Sequence, residues 1–101
     1  MTKEEYAEKC IALNKEYDEK KRELNFQYAE ENNNVNVGDY ITDHRFTIRV
    51  TGYRVYYEYI TKLPSLIYTG IKCKKNGEPM KNPSEEDIYQ SNLKYINGEP
   101  V

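Results

Sequence analysis

Tryptophan is absent from this chain of 101 residues, histidine occurs once, and there are only two cysteines. Each shortage removes a class of chemistry. A single histidine, His44, with Asp39 and Asp43 nearby, is an incomplete ligand set for zinc, which takes four protein ligands in a structural site and usually three in a catalytic one. His44 therefore reads as a turn residue, and no metal is expected. Cys10 and Cys73 lie far apart and neither belongs to a Cys-x-x-Cys pair, so two reduced thiols are expected ahead of one long-range disulfide. With five glycines and four prolines there is no Gly-rich phosphate loop and no nucleophile elbow. No cofactor and no enzymatic function are expected. No stretch approaches the ~20 consecutive apolar residues that cross a bilayer, and MTKEEYAEK lacks the apolar core of a signal peptide. These features lead to the expectation of a cytoplasmic protein. Charge of one sign is also missing: 15 Lys and Arg against 17 Asp and Glu leave a net charge of −2. Neither DNA mimicry by acidity nor indiscriminate DNA coating by basicity follows from that balance.

What the chain has in quantity is tyrosine, 11 residues against two phenylalanines. A buried phenol hydroxyl without a partner is costly, so many of these rings should sit at the protein edge, apolar body inward and hydroxyl outward. The charges divide unevenly: residues 1–34 hold 6 basic and 9 acidic side chains, and residues 35–101 hold 9 and 8. The same boundary separates two periodicities.

Thr2 and Glu5 stand in the capping-box relation that opens a helix. Tyr6, Cys10, Leu13, Tyr17, Leu24 and Tyr28 then recur at spacings of 4, 3, 4, 7 and 4, the a/d-like stripe of an amphipathic helix. Lys20 interrupts it. Glu5 with Lys9, Glu16 with Lys20 and Asp18 with Arg22 are i,i+4 pairs in the favourable acid-first order, about 0.2–0.5 kcal/mol each. The Asn32–Asn34 run should end the helix, because Asn side chains compete for its backbone hydrogen bonds. At 1.5 Å per residue the helix would be about 45 Å long, whereas residues 35–101 would form a body only about 30 Å across. It must overhang, bending near EKKRE or packing on another chain. Tyr6, Cys10, Leu13 and Tyr17 are expected to cover the body, leaving Leu24 and Tyr28 for a partner or a homodimer mate.

From Gly38 onward the period becomes two. Phe46, Ile48 and Val50 alternate with Arg45, Thr47, Arg49 and Thr51. Past Gly52, Tyr53, Val55, Tyr57 and Tyr59 alternate with Arg54, Tyr56 and Glu58. Pro64 is expected to break the pairing. A further strand reads from Leu66 to Lys75, with Ile67, Thr69, Ile71 and Cys73 on one side and Tyr68, Lys72 and Lys74 on the other. NGEP occurs at Asn76–Pro79 and again at Asn97–Pro100, Asn-Gly turn chemistry used twice. NPSEED reads as a polar loop, and Ile88–Ile96 as a last strand or a turn plus strand. The expected class is α+β, in two parts of one folding unit. Residues 1–34 form an amphipathic helix, and residues 35–101 a small antiparallel sheet or SH3-like barrel of about five strands. The 16 residues VNVGDYITDHRFTIRV, Val35 to Val50, resemble the opening strand pair of SH3-like and KOW-type barrels. That resemblance implies a fold and assigns no functional residue.

On this parity one outer face displays Arg45, Arg49, Arg54, Tyr56, Tyr68, Lys72 and Lys74. Tyr and Arg are the side chains that interfaces favour. The expected function is a non-enzymatic interaction protein that covers a protein partner with this surface. Size and composition are similar to those of accessory proteins of phages and mobile elements, including inhibitors of host defence. The alternative is a nucleic-acid or anionic-nucleotide binding module using the same basic face.

Overall fold

The computed structural model describes every residue, Met1–Val101. Helix α1 spans Lys3–Glu31, and its Thr2 cap accepts the Glu5 N–H at 3.1 Å. The helix is continuous through EKKRE. Of the anticipated side-chain pairs Glu16–Lys20 forms, at 2.9 Å, between exposed groups, where such pairs contribute only tenths of a kcal/mol. The asparagines end the helix as their chemistry predicts. The Asn32 side-chain amide donates to the Tyr28 carbonyl at 2.9 Å. Asn33 brackets Val35, its Oδ1 accepting the Val35 N–H at 2.9 Å and its Nδ2 donating to the Val35 carbonyl at 2.8 Å. Although 29 residues long, α1 is too polar to cross a membrane, and no other helix qualifies.

Six strands follow: β1 (Tyr40–Thr42), β2 (Thr47–Glu58), β3 (Leu63–Cys73), β4 (Glu85–Tyr89), β5 (Tyr95–Ile96) and β6 (Glu99–Pro100). All pair antiparallel, in the order β4-β3-β2-β1-β5-β6. The α+β class stands, and the β part is an open sheet, not a closed barrel. Closure would require the two edges to pair along their length. With β4 five residues long and β6 only two, there is too little backbone at either edge. The two Asn-Gly sites are turns. Gly77 at φ 85° closes the turn after β3, its N–H donating to the Lys74 carbonyl at 2.8 Å. Asn97 and Gly98, at φ 52° and 81°, join β5 to β6 with the two positive φ angles of a type I′ turn.

Two strand expectations need correction. Pro64 does not break the sheet: it pairs in register with Tyr57, in a part of β3 that β4 does not reach, so its missing N–H costs no ladder bond on that open side. The acidic run Glu85–Asp87 is the first half of β4 rather than a loop. Ile88, fully buried, anchors it against the core, which outweighs the weak strand propensity of three acids.

The core is one small cluster: Ala29 from α1, Val35 from the following loop, Ile41, Ile48, Val50, Leu66, Tyr68 and Ile88 from the sheet. Only the last turns of α1 reach it, since Ala29 is the helix's single buried residue. The result is an elongated molecule, 64 × 26 × 20 Å, with α1 projecting as an arm. The overhang is real but its polarity is opposite to expectation. The C-terminal end docks, whereas Tyr6, Leu13 and Tyr17, expected to cover the sheet, stand 64%, 64% and 66% exposed. The reason is steric: the short Asn32–Asp39 connection holds the end of α1 against the sheet, and a straight rod fixed there must point its other end outward.

Candidate interaction surfaces

Arg49 and Arg54 are five positions apart and would lie on opposite faces of a regular strand. A β-bulge brings them together. Val50 pairs with Gly70, Gly52 with Thr69, and Thr51 is the extra residue, its hydroxyl donating to the Thr69 carbonyl at 3.2 Å. After the bulge, Tyr53 and Val55 face the core beside Tyr68 and Leu66, and Arg54 and Tyr56 join Arg49 on the outer face. Gly70 is required here, because a Cβ on it would sit 2.1 Å from the Arg49 carbonyl oxygen.

The outer face is internally bonded. Arg54 donates to Asp87 Oδ2 at 3.1 Å and to Thr69 Oγ1 at 3.2 Å, and Thr69 donates to Asp87 Oδ1 at 2.9 Å. The Thr69 hydroxyl holds the Asp87 carboxyl below its usual range, against partial burial that acts the other way, and Arg54 adds to the lowering. Arg45 meets the same residue from the β1–β2 turn, donating to the Asp87 carbonyl at 3.0 Å while its Nε lies 3.1 Å from Asp43 Oδ2. Arg49 donates to the carbonyls of Gly38 and Gly77, both at 2.6 Å, and lies over the Tyr40 ring. Tyr56 stacks edge-on against Tyr89 at 5.3 Å. These bonds fix the arginines in place and occupy many of their donors, Arg45 and Arg54 against carboxylates and Arg49 against backbone carbonyls.

Tyr68 leaves this set. It is completely buried, on the core side of β3, with its hydroxyl donating to Asn33 Oδ1 at 2.7 Å. Burial pushes its pKa up to about 12, with the charges of Tyr53 and Glu30 adding to the rise. The expected parity of β3 is thus off by one: Leu66, Tyr68 and Gly70 face the core beside Val55, Tyr53 and Val50. Lys72 shares that parity through its pairing with Ile48, and with Lys74 it lies at the end of the sheet, away from Arg54 and Tyr56. There, a groove of about 740 Å³ gathers Arg45, Lys72, Lys74 and Lys75 around Phe46.

Other polar residues escaped sequence reasoning because they act through backbone groups or through side chains remote in sequence. Asp43 is buried in the β1–β2 turn and accepts the N–H groups of Arg45 at 2.7 Å and Phe46 at 3.0 Å. Burial alone would raise its pKa, but those two amides and the Arg45 guanidinium outweigh it and hold the carboxyl below its usual value. Gln90 ties the arm's base to the sheet, accepting from Ser65 Oγ and the Leu66 N–H and donating to the Asn32 carbonyl. Tyr53 bonds Glu30 across the same junction. His44 is exposed on its turn, Cys10 and Cys73 are not bonded to each other, and burial raises the pKa of the Cys73 thiol.

The arm carries a run of large apolar side chains that nothing in the chain covers. Tyr6, Leu13, Tyr17 and Leu24 are between 58% and 66% exposed, and Tyr28 is 37% exposed. No protein family, curated protein or solved structure matches the chain.

Proposed function

We propose that this chain is a non-enzymatic interaction protein in which the sheet holds α1 out as an arm, and the apolar stripe of that arm contacts a protein partner. One observation carries the reading: four large apolar side chains at helical spacing, Tyr6, Leu13, Tyr17 and Leu24, each more than half exposed. Helices in proteins owe most of their stability to packing an apolar face, and exposed large apolar side chains sharing one helix face are what a contact surface requires. The sheet face is a weaker candidate, because its arginines are already bonded within the chain. A second copy of the chain is the simplest partner, the stripe meeting its own equivalent with Lys9 and Glu16 flanking the seam and Lys20 interrupting it.

The test compares the chain with a Leu13→Glu/Tyr17→Glu variant, by sedimentation over a concentration series and by recovery of bound protein from nuclease-treated lysate. Self-association, or a stoichiometric bound protein, that is present for the parent and lost in the variant is the expected result. A parent that stays monomeric and captures nothing the variant fails to capture overturns the reading.

A further inference from the structure

The arm does not explain the groove at the far end of the sheet. Its walls come from the β1–β2 turn, the end of β3 with the turn beyond it, and the β5–β6 hairpin, and its volume of about 740 Å³ falls within the ~300–1,000 Å³ typical of small-molecule sites. Four cations line it, Arg45, Lys72, Lys74 and Lys75, against one lining carboxylate, Asp43, on a chain whose net charge is −2. Asp43 is committed to Arg45 and to two backbone amides. None of the three lysines takes part in any of the molecule's ion pairs, which are Glu16–Lys20, Asp43–Arg45 and Arg54–Asp87.

Phe46 is the fixed point of this cluster. The Arg45 guanidinium lies 4.6 Å from its ring centroid and the Lys72 ammonium 5.6 Å, each attracted by the ring face. Phe46 itself packs against the core, so two of the four charges are held at defined positions. Like charges gathered round a concavity repel one another and concentrate a positive potential inside it. Met80 and the half-exposed Tyr95 add apolar surface to the lining.

We infer that this groove binds a phosphate ester carrying a planar ring, the phosphate taken by the unpaired lysines and the ring laid against Tyr95 and Met80. Lysine ammoniums bind phosphate oxygens as compact point charges, and rings of any base stack on tyrosine. A free nucleotide and a single-stranded nucleic acid present the same chemistry. The inference is independent of the arm and of its partner.

The experiment titrates the full chain with inorganic phosphate, with ATP and with a short single-stranded oligonucleotide, at low and at raised salt. Saturable binding of ATP or of the oligonucleotide, tighter than that of inorganic phosphate and weakened by salt, is expected. ATP binding as tightly as the oligonucleotide identifies the free nucleotide as the source, and the reverse identifies a strand. Lys72→Glu and Lys74→Glu should each weaken binding about tenfold, the scale of one charge-assisted contact. Lys72→Arg should retain it. Lys62→Glu, the same charge change at the opposite end of β3, is the control and should change affinity less than twofold. Lys74 is exposed, so its variant keeps the test valid should Lys72→Glu disturb folding. No binding of either probe, or equal weakening by Lys62→Glu and Lys74→Glu, overturns the inference.

Discussion

The arm and the sheet contain the same kinds of apolar residue in opposite environments. Leu66 and Tyr68 are fully buried in the sheet, while Leu13 and Tyr17 on the arm are 64% and 66% exposed. The body folds on its own burial. The arm is held helical by its Thr2 cap, by local propensity and by its anchored last turns, and gains nothing from its stripe until something covers it. The contrast separates residues that build the molecule from residues that nothing else in the chain covers, and the sharpest way to probe it is to make one substitution in both places. Leu66→Ala should lower the unfolding free energy by about 2–5 kcal/mol, the usual cost of truncating a buried leucine. Leu13→Ala should change it by less than about 0.5 kcal/mol, as exposed positions do. Urea denaturation at low protein concentration reads both. Equal effects would mean that the arm is packed after all.

Tyr68 gives the next largest effect, at alkaline pH. Its folded pKa is raised to about 12 by burial, against about 10 in an unfolded chain. A raised folded pKa means stability that is complete below pH 10 and is lost as pH rises toward 12. The loss should be about 2–3 kcal/mol. The Tyr68→Phe variant should show a shallower decline over the same interval. Tyr53, raised first by its hydrogen bond to Glu30 and then by burial, acts in the same direction. Denaturation midpoints measured from pH 8 upward would check this, and a parent and variant that decline in parallel would place the titrating group elsewhere.

Much of this contrast is legible in the sequence, and the parts that are not have physical causes. The capping Thr2, the Asn32–Asn34 stop and both Asn-Gly turns are local signals, and each marks the structure where expected. The change of phase at Gly52 places Arg49 and Arg54 together, although the mechanism is a bulge at Thr51 that only the pairing reveals. Tyr68 misleads because Leu66, Ile67, Tyr68 and Ile71 put apolar groups on both parities of β3. Which side wins depends on Asn33, 35 residues earlier, accepting the hydroxyl. The arm's direction misleads for a related reason. The stripe marks an apolar face, but the end that docks is set by the short Asn32–Asp39 connection and secured by Ala29 and Gln90, residues outside the stripe. The groove escapes because it assembles three segments remote in sequence.

Acid probes the body again, more gently. Asp43 and Asp87 both have folded pKa values below the ordinary carboxylate range. A depressed folded value means stability that is present above about pH 3.9, the unfolded value, and is lost as pH falls through the folded one. Asp43→Ala, which strands two backbone amides and Arg45, should cost about 1–3 kcal/mol at neutral pH and flatten the acid limb. A variant as acid-sensitive as its parent would shift that limb to other groups.

The smallest effect belongs to the arm's free end, and it tests whether arm and body are separate cooperative units. Thr2 accepts the Glu5 N–H at 3.1 Å, and removing such a cap costs about 1 kcal/mol of helix stability. In a projecting helix that cost stays local. Thr2→Ala should therefore speed amide exchange over the first two turns of α1 about fivefold, the factor that corresponds to 1 kcal/mol. Amides of β2 and β3 should exchange at unchanged rates. Exchange followed residue by residue distinguishes the outcomes. If protection of β2 and β3 falls by the same factor, the helix and the sheet open together, and the arm is not a separately stabilised element.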